Sequence, residues 1–435
     1  MKKLYTINLM AIMLLAFQLT FSQVDDQTVQ LDEIVLSLPF NQTLGKSVIK
    51  VDKINFNDLN PILQQYISKS ISKLPGVSIL STGPGVSKPS IRGLSYDRVV
   101  VYSQGVRLEN QQWGDEHGIG VSTSGVNSIE VIKGPSYVLY GSDAMGGVLY
   151  VEPERYSSDF SVDYMGLYNS NYNGITNNLG LKGSSGKFSY IARANMVDNQ
   201  SFSTPDGEVE NTWFKENDVQ AGLKYETEKF SSDLRLTMNF SELGLPHMEE
   251  GHDDHDDHDE EGHDDHEDHE DHYQELSHTT LTWVNTFDLG NNHQLNVTLG
   301  RQLNDRKEFG GHEEEEGHDD HDEEGHDDHD DHEGHEEGEA ELDMELSTNT
   351  LDVSLVMPQS DNLNLTIGTN FLSQENKNFG HEELIPDAEK KDFGLYALGQ
   401  ITMENGAALL GVRYDNRSIS SDMGSADFSN FNGSV

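Results

Sequence analysis

The pattern of apolar and polar positions divides the chain into three parts. Residues 4–21 are apolar apart from four positions and follow Lys2 and Lys3, as in a secretory signal peptide that ends near residue 23. Residues 47–152 mix helical and strand periods, whereas later residues alternate apolar and polar positions between short turns. An uncleaved anchor is the alternative for the first part, and no later run has the length of a membrane helix.

The middle part predicts a small α+β domain. A helix is predicted over residues 59–74, with Asn60 as its N-cap and Pro61 in its first turn. No nucleophile, base and orienting group stand at a recognisable spacing, so we expect no enzyme. Strands are predicted at residues 74–79, 98–102, 128–134 and 148–151, a turn at Gln104-Gly105 and a short helix at residues 136–141.

The last part predicts the antiparallel strands of a transmembrane β-barrel. About eleven alternating segments, such as DFSVDYMGLY and ITNNLGLKG, end by Asn416. Short turns alternate with long loops, so the long loops, including Ser201 to Trp213, should share one face. A plugged transporter barrel has about 22 strands, and the final FSNFNGSV lacks a closing strand. We therefore expect only about the first half of a barrel, in a chain that is part of a longer protein. A complete barrel of about ten to twelve strands would not easily hold the middle domain.

Composition changes this picture at two of the long loops. The chain has 435 residues, no cysteine and a formal charge of −49. Tracts at residues 247–278 and 311–339 consist almost wholly of His, Asp, Glu and Gly, and together they hold 16 of the 19 histidines. Removing their 33 acidic residues leaves a charge of −16. Such a polyanion repels nucleic acid and attracts cations, and the lack of cysteine excludes disulfides and thiolate sites.

The two tracts predict capture of metal ions. Neutral imidazole and carboxylate are ligands that borderline divalent ions such as Zn²⁺ accept, and histidine recurs at nearly every third position with acids between. Neither tract has an apolar face to bury. A solvated acidic loop is the alternative, but acid alone would serve that purpose without histidine. The candidate ligands are His252, His255, His258, His263, His266, His269, His272 and His278 in the first tract, and His312, His318, His321, His326, His329, His332 and His335 in the second.

A shorter candidate site lies in the loop NQQWGDEHGIG, residues 110–120. Asp115, Glu116 and His117 are consecutive there and are flanked by glycines that let the backbone bend around a ligand. Consecutive residues rarely all face one ion, so we expect two of the three to bind, completed by barrel histidines such as His278 or His381. A polar surface turn is the alternative.

Several segments resemble, in the same order, the TonB box and plug domain of TonB-dependent outer-membrane receptors. They are LDEIVLS, LPGVSI, PSIRG and, most specifically, IEVIKGPSYVLYGSDAMGGVLYV, and they cover residues 31–152. One departure is Ser103-Gln104-Gly105, where the family has an Asp-Gly turn. The resemblance implies a plug inside a large barrel and active uptake, with energy transmitted from the inner membrane through the box. The box residues are Leu31, Asp32, Glu33, Ile34, Val35, Leu36 and Ser37, an extended heptapeptide suited to strand addition.

These observations predict a TonB-dependent receptor of a Gram-negative outer membrane that takes up a divalent transition metal, with Zn²⁺ as the expected cargo and no tightly bound cofactor. The ligand types also fit Ni²⁺, Cu²⁺ or Co²⁺. Expected partners are a TonB-type energy-transducing protein, outer-membrane lipid and a metal ion or chelate, but not nucleic acid. A siderophore or haem receptor and an extracellular metal-buffering protein are the alternatives. The expected domains are a signal peptide (1–23), a periplasmic arm (24–46), the plug (47–152) and barrel strands (153–435).

Overall fold

The computed structural model describes most of the chain outside the two tracts. The chain forms two compact units, residues 1–34 and 35–435, and the plug and the long sheet both lie in the second. Only Ile34 of the first unit is described. The described residues are 34–35, 42–43, 49–60, 64, 66–81, 85–109, 118–133, 137–205, 207–246, 272–310, 340–360, 362–403 and 406–434.

The plug is an α+β domain built on a mixed five-stranded sheet. Two short strands, β1 (Ile34–Val35) and β2 (Gln42–Thr43), come before it in the chain. The strands of the plug are β3 (Lys50–Asn55), β4 (Val77–Ser81), β5 (Ser87–Ile91), β6 (Val99–Ser103), β7 (Val106–Leu108), β8 (Val126–Lys133) and β9 (Gly147–Pro153). Its helices are α1 (Ile67–Ile71), α2 (Tyr137–Tyr140) and two 3₁₀ turns, Phe56–Asp58 and Tyr96–Arg98. The sheet order is β3-β8-β9-β6-β7, with β6 and β9 parallel, while β4 and β5 pair separately.

Both faces of the plug sheet are buried. Val101 and Val131 point to one face and pack with Ile71 of α1. Because side chains alternate along a strand, Val100 and Ile132 point to the other face. There they meet residues of the long sheet, including Leu398. The apolar runs in β6 and β8 are therefore explained by burial on two sides.

The predicted helix over residues 59–74 is wrong in extent. Among the described residues of this range, only Ile67–Ile71 is α-helical, and Tyr66 before it is extended, with φ −138° and ψ 138°. The Tyr66 ring packs edge-on against Phe214 at 6.1 Å, and its hydroxyl accepts a hydrogen bond from Asn199 Nδ2 at 2.9 Å. These contacts with the long sheet outweigh the local helix pattern. The turn at Gln104-Gly105 is confirmed, with φ 54° and 84°, as a two-residue hairpin requires.

Twelve strands form one antiparallel sheet in which neighbours in sequence are neighbours in space. A separate small hairpin, β13 (Ser203–Thr204) and β14 (Gly207–Glu208), lies in one of its loops. The strands are β10 (Ser161–Asn169), β11 (Gly174–Ser185), β12 (Phe188–Asn199), β15 (Phe214–Glu226), β16 (Phe230–Gly244), β17 (Tyr273–Gly290), β18 (His293–Phe309), β19 (Leu342–Ser360), β20 (Leu363–Asn378), β21 (Ala388–Met403), β22 (Gly406–Ser421) and β23 (Gly424–Ser434).

The eleven strands predicted by Asn416 are present as β10–β12 and β15–β22, but a twelfth follows where none was predicted. Residues 424–434 form β23 and pair with β22 from Ser421 opposite Gly424 to Gly411 opposite Ser434. The polar composition of this segment hid it, but backbone groups at the edge of β22 gain partners whatever the side chains are. Several strands are also longer than predicted, because they extend further towards the long loops. β17 begins at Tyr273 rather than Thr279, because polar residues continue the ladder.

The loops divide into two rims, as predicted. One rim has turns of two or three residues, at 186–187, 227–229, 291–292, 361–362 and 404–405. The other, named here the long-loop rim, has loops at 170–173, 200–213, 245–272, 310–341, 379–387 and 422–423. Both His-rich tracts therefore join the sheet at the long-loop rim.

The two faces of the sheet differ in polarity. Outward positions carry exposed apolar side chains such as Leu179, Leu281 and Ile367, while inward positions carry buried polar ones such as Asn239 and Gln302. An apolar exterior with a polar interior is typical of outer-membrane barrels. Within the described ranges, no helix is long and apolar enough to cross a membrane.

Candidate functional site

Most of the predicted ligands lie outside the described residues. These are Asp115–His117, the tract histidines other than His272 and His278, and the box residues other than Ile34 and Val35. Ile34 and Val35 form the short strand β1. The roles assigned to all these residues stay predictions.

His278 is buried in the inner wall, with 8% of its surface exposed. It lies on β17 opposite Asn239 and Asn304, and its Nδ1 is 2.8 Å from Asn304 Oδ1. His381 lies in the exposed loop at residues 379–387. Over the described ranges, no three His, Asp or Glu side chains are close enough to hold a metal ion. The structure therefore does not bring His278 and His381 into one described ligand set.

The two tracts leave the long-loop rim at neighbouring points. At the base of the first tract, a backbone hydrogen bond joins Leu245 N–H to His272 C=O at 2.9 Å. At the base of the second, a backbone hydrogen bond joins Glu341 N–H to Glu308 C=O at 3.0 Å. Between them, the rings of Tyr273 and Phe309 stack with centroids 4.5 Å apart. A Cβ added at Gly310 would lie 2.5 Å from His272 Nδ1, so the chain leaving the first tract lies beside the chain entering the second.

Asn211 fixes the base of the first tract. Its Nδ2 donates to the carbonyls of Leu245 at 2.8 Å and His272 at 2.6 Å, one on each side of the tract. Asn211 has φ 53°, a left-handed conformation that Asn tolerates better than most residues. The loop at residues 200–213 therefore braces its neighbour. Sequence reasoning missed this residue, because nothing distinguishes it locally from other loop asparagines.

Below the rim, the inner wall carries a buried polar triad of Gln274, Arg306 and Glu308. Arg306 Nη1 donates to Gln274 Oε1 at 3.0 Å and to Glu308 Oε1 at 3.1 Å, and Gln274 Nε2 donates to the same Glu308 oxygen at 3.0 Å. Arg306 and Glu308 alternate on β18 and so share its inner face. The inner wall below the tracts is thus polar at this point, and these three side chains are hydrogen-bonded to one another.

The plug is held against the far strands by ion pairs, named here the plug seat: Arg107, Glu109 and Asp143 of the plug with Lys390, Asp392 and Arg417 of the sheet. Asp143 is 2.8 Å from Arg107 and 2.8 Å from Arg417. Arg417 also contacts Asp392 at 2.6 Å, and Lys390 contacts Glu109 at 2.8 Å. The network links residues about 270 positions apart in sequence.

The plug carboxylates of this seat are stabilised in their charged form. Burial raises the pKa of Asp143, but the Arg107 and Arg417 guanidinium groups outweigh it and hold this pKa well below its ordinary value. Burial likewise opposes ionisation of Glu109, and Arg107 and Lys390 together lower its pKa. Asp97 behaves oppositely, because burial and the nearby Asp143 charge raise its pKa. Asp143 and Glu109 are therefore ionised at neutral pH.

A second attachment holds the plug segment that directly follows the Asp115–His117 loop. Gln220 Nε2 donates to the Ser124 carbonyl at 2.7 Å, and Asn178 Nδ2 donates to Ser124 Oγ at 2.9 Å. Gly125 allows the turn, with φ 62°. The plug residues that follow the predicted loop site are therefore hydrogen-bonded to the inner wall.

A cavity of about 460 Å³ separates the plug from β10–β12. Its lining includes Tyr66, Glu154, Lys182 and Arg193, so both signs of charge face it. Its volume is in the range of small-molecule sites. A chelate as well as a bare ion would fit within it.

Comparison with known proteins gives matches in both the plug and the whole fold. Residues 44–148 match the family model described as TonB-dependent Receptor Plug Domain. A vitamin B12 transporter, BtuB, of Photobacterium profundum is 29% identical over 119 residues, which are 27% of this chain and 20% of that protein. The FrpB iron transporter from Neisseria meningitidis superposes with a TM-score of 0.66 at 13% identity, covering 88% of this chain and 60% of that one. The copper transporter OprC gives 0.66 at 12% identity, covering 89% and 60%.

These matches confirm the fold class of a plug domain with a barrel-like antiparallel sheet. Because the sequence identity to the solved structures is only 12–13%, their similarity shows the fold alone. The chain spans about 60% of the length of those structures and about a fifth of the curated relative.

Proposed function

We propose that this chain, which carries a TonB-dependent receptor plug domain and a barrel-like sheet, acts in a Gram-negative outer membrane as an uptake receptor for a divalent transition metal, with Zn²⁺ as the expected cargo. One observation supports this most strongly: both His/Asp/Glu tracts are inserted at touching points of one rim, above the plug. Ligand-rich polymer then stands where the cargo arrives.

The proposed mechanism has three steps. The tracts collect ions at many weak, exchangeable sites and raise the local concentration at the rim. Ions then pass to a better-defined site formed by His117 with Asp115 or Glu116. Energy transmitted through residues 31–37 finally displaces the plug, which requires breaking contacts such as Asp143 with Arg417.

Shortening both tracts tests the capture step. We expect deletion of residues 248–271 and 312–339, each replaced by a short Gly-Ser linker in the full receptor, to lower zinc uptake at limiting zinc and to leave it unchanged at saturating zinc. A second variant keeps both tracts but changes every tract histidine to Gln, which separates metal capture from acidic solvation. Unchanged uptake at limiting zinc in both variants would sink the capture step.

The plug-loop site is tested in the tract-shortened background. His117→Ala should lower zinc affinity in a titration, because one imidazole ligand is lost. The matched control is His293→Ala, which removes a histidine at the short-turn rim and should change nothing. Equal affinity for the two variants refutes the site.

An iron or haem receptor is the second candidate, favoured by relatives named as transporters of iron and of vitamin B12. Rescue of growth by free zinc, but not by haem or ferric chelates, supports the zinc proposal, and the reverse result replaces it. Deleting residues 31–37 distinguishes an extracellular metal buffer, which would lose nothing, from a receptor, which would lose uptake.

A further inference from the structure

Two carboxyl groups of the inner wall face a single hydroxyl of the plug. Glu216 and Asp218 alternate on β15 and therefore point to the same face. Ser122 Oγ lies 3.1 Å from Glu216 Oε1 and 2.6 Å from Asp218 Oδ2. Asp218 is 1% exposed and Ser122 is 9% exposed, while Glu216 is half-buried.

Two full hydrogen bonds at this hydroxyl need a proton from one of the carboxyl groups. A serine hydroxyl has one hydrogen and two lone pairs. The Ser124 N–H donates to Ser122 Oγ at 3.1 Å and occupies one lone pair. One hydrogen and one lone pair then remain for two carboxyl oxygens. Two ionised carboxylates would have to share the hydrogen in a weaker three-centre bond, whereas a protonated carboxyl group lets the hydroxyl donate to one group and accept from the other.

The other groups at this point do not supply a compensating positive charge. Asn195 Nδ2 is 2.9 Å from Asp218 Oδ2 and 3.5 Å from Glu216 Oε1, and Asn239 Nδ2 also donates to Asp218. These amides are neutral, and in the described part of the chain neither carboxyl group has an ion pair with Lys or Arg.

Titratable groups on the surrounding elements are engaged elsewhere or are neutral. Tyr66 of the plug lies near Glu216, and its hydroxyl accepts a hydrogen bond from Asn199. Arg193 on β12 is paired with Glu154 and Asp163. His278 lies on β17 opposite Asn239, and its Nδ1 is hydrogen-bonded to Asn304 Oδ1.

We propose that Glu216 and Asp218 share one proton, and that in this state they hold the plug segment 118–126 to the inner wall through Ser122. Loss of the proton places two neighbouring negative charges on one hydroxyl, which must then share its single hydrogen between them. The segment is then held by its remaining contacts, such as Gln220 with the Ser124 carbonyl.

The contact of Ser122 with Glu216 and Asp218 is named here the latch. Its pH response is opposite to that of the plug seat. The seat depends on ionised carboxylates and weakens in acid, whereas the latch depends on a bound proton and weakens as pH rises. This inference needs neither zinc nor transport, so it stands or falls independently of the proposed cargo.

Hydrogen exchange read by mass spectrometry tests the latch in the full receptor in membrane vesicles. After correction for the intrinsic pH dependence of amide exchange, we expect residues 118–126 of the wild type to lose about tenfold in protection as pH rises from about 6 to about 9. In Glu216→Gln, whose amide replaces the protonated acid as a donor, protection should stay constant across this range. A constant wild-type profile, or a Glu216→Gln profile parallel to the wild type, overturns the proposal.

Three further variants complete the test. Glu226→Gln removes an exposed carboxylate from the same strand and should keep the wild-type profile; if it also abolishes the pH response, the effect is general surface charge and the proposal fails. Asp218→Asn gives a second neutral pair should Glu216→Gln not fold. Ser122→Ala should give low protection at every pH, because the shared partner is gone, and a retained pH response there would also refute the latch.

Discussion

At the scale of single residues, the plug is held by charges whose partners are distant in sequence. Asp143 stands between Arg107 of its own domain and Arg417 of the sheet. Each arginine has a second carboxylate, since Arg107 also meets Glu109 and Arg417 also meets Asp392. The network therefore loses a link, rather than leaving an isolated buried charge, when one member is neutralised.

Neutralising Asp143 should weaken the plug seat moderately. We expect Asp143→Asn to destabilise the seated plug by about 1–3 kcal/mol, because both arginines keep a partner but lose a charge-assisted bond. Thermal unfolding in detergent measures the loss, with Asp159→Asn as the control at an exposed aspartate. An unchanged unfolding temperature would contradict a role for Asp143 in seating the plug.

The sign of the acid response follows from the lowered pKa values of Asp143 and Glu109. A carboxyl group whose folded pKa is below its unfolded value contributes stability that is complete above the unfolded value and is lost as pH falls through the folded one. The ordinary values here are 3.8 and 4.5. The seat should therefore hold unchanged from neutral pH to about pH 5 and weaken only in stronger acid.

At the scale of elements, the rim is organised by contacts between loops. Asn211 bonds the carbonyls on both sides of the first tract, and Tyr273 stacks on Phe309 between the two tracts. These contacts fix the points at which residues 247–271 and 311–339 join the sheet. The base of a polar loop can thus be ordered by the strands that carry it.

Asn211→Gly isolates the contribution of the brace. Glycine accepts φ 53° without strain, so the variant removes the two hydrogen bonds and the packing of this buried side chain, at a cost of about 1–3 kcal/mol. We expect faster protease cleavage within residues 200–213 and near the base of the first tract, with the unfolding temperature of the sheet little changed. Asn171→Gly, at another exposed loop asparagine of the same rim, is the control. Cleavage rates equal to those of the wild type and the control would mean that Asn211 does not brace the rim.

At the scale of the whole molecule, the proposed cargo capture and the proposed plug release would depend on different groups and different pH ranges. Imidazole must be neutral to bind a metal ion, so tract binding should weaken as pH falls through about 6.5, where histidine titrates. Equilibrium dialysis of zinc against the receptor between about pH 5 and pH 8 checks this. The variant with tract histidines changed to Gln should show little zinc binding and only a small pH dependence. A wild-type profile without a step near this pH would show that carboxylates alone bind the ion.

The amino-acid sequence by itself determined the fold class, the strand alternation and the side on which the long loops lie. Period-two patterns and turn residues act locally, so β11, β12 and the Gln104-Gly105 turn could be read directly from the chain. The His/Asp/Glu composition likewise indicates a cation without any knowledge of the fold. The sequence also indicated His278 as a candidate ligand, because a residue type is visible before its surroundings are.

Only the tertiary structure decided the contacts that join distant residues. The helix predicted over residues 59–74 is broken because Tyr66 meets Phe214 and Asn199 of the sheet. β23 forms because the edge of β22 supplies backbone partners. The pairing of Asp143 with Arg417, and of Ser122 with Glu216 and Asp218, depends on strand register far along the chain. Local patterns specify which face a side chain takes, whereas its partner across the interface is set by packing.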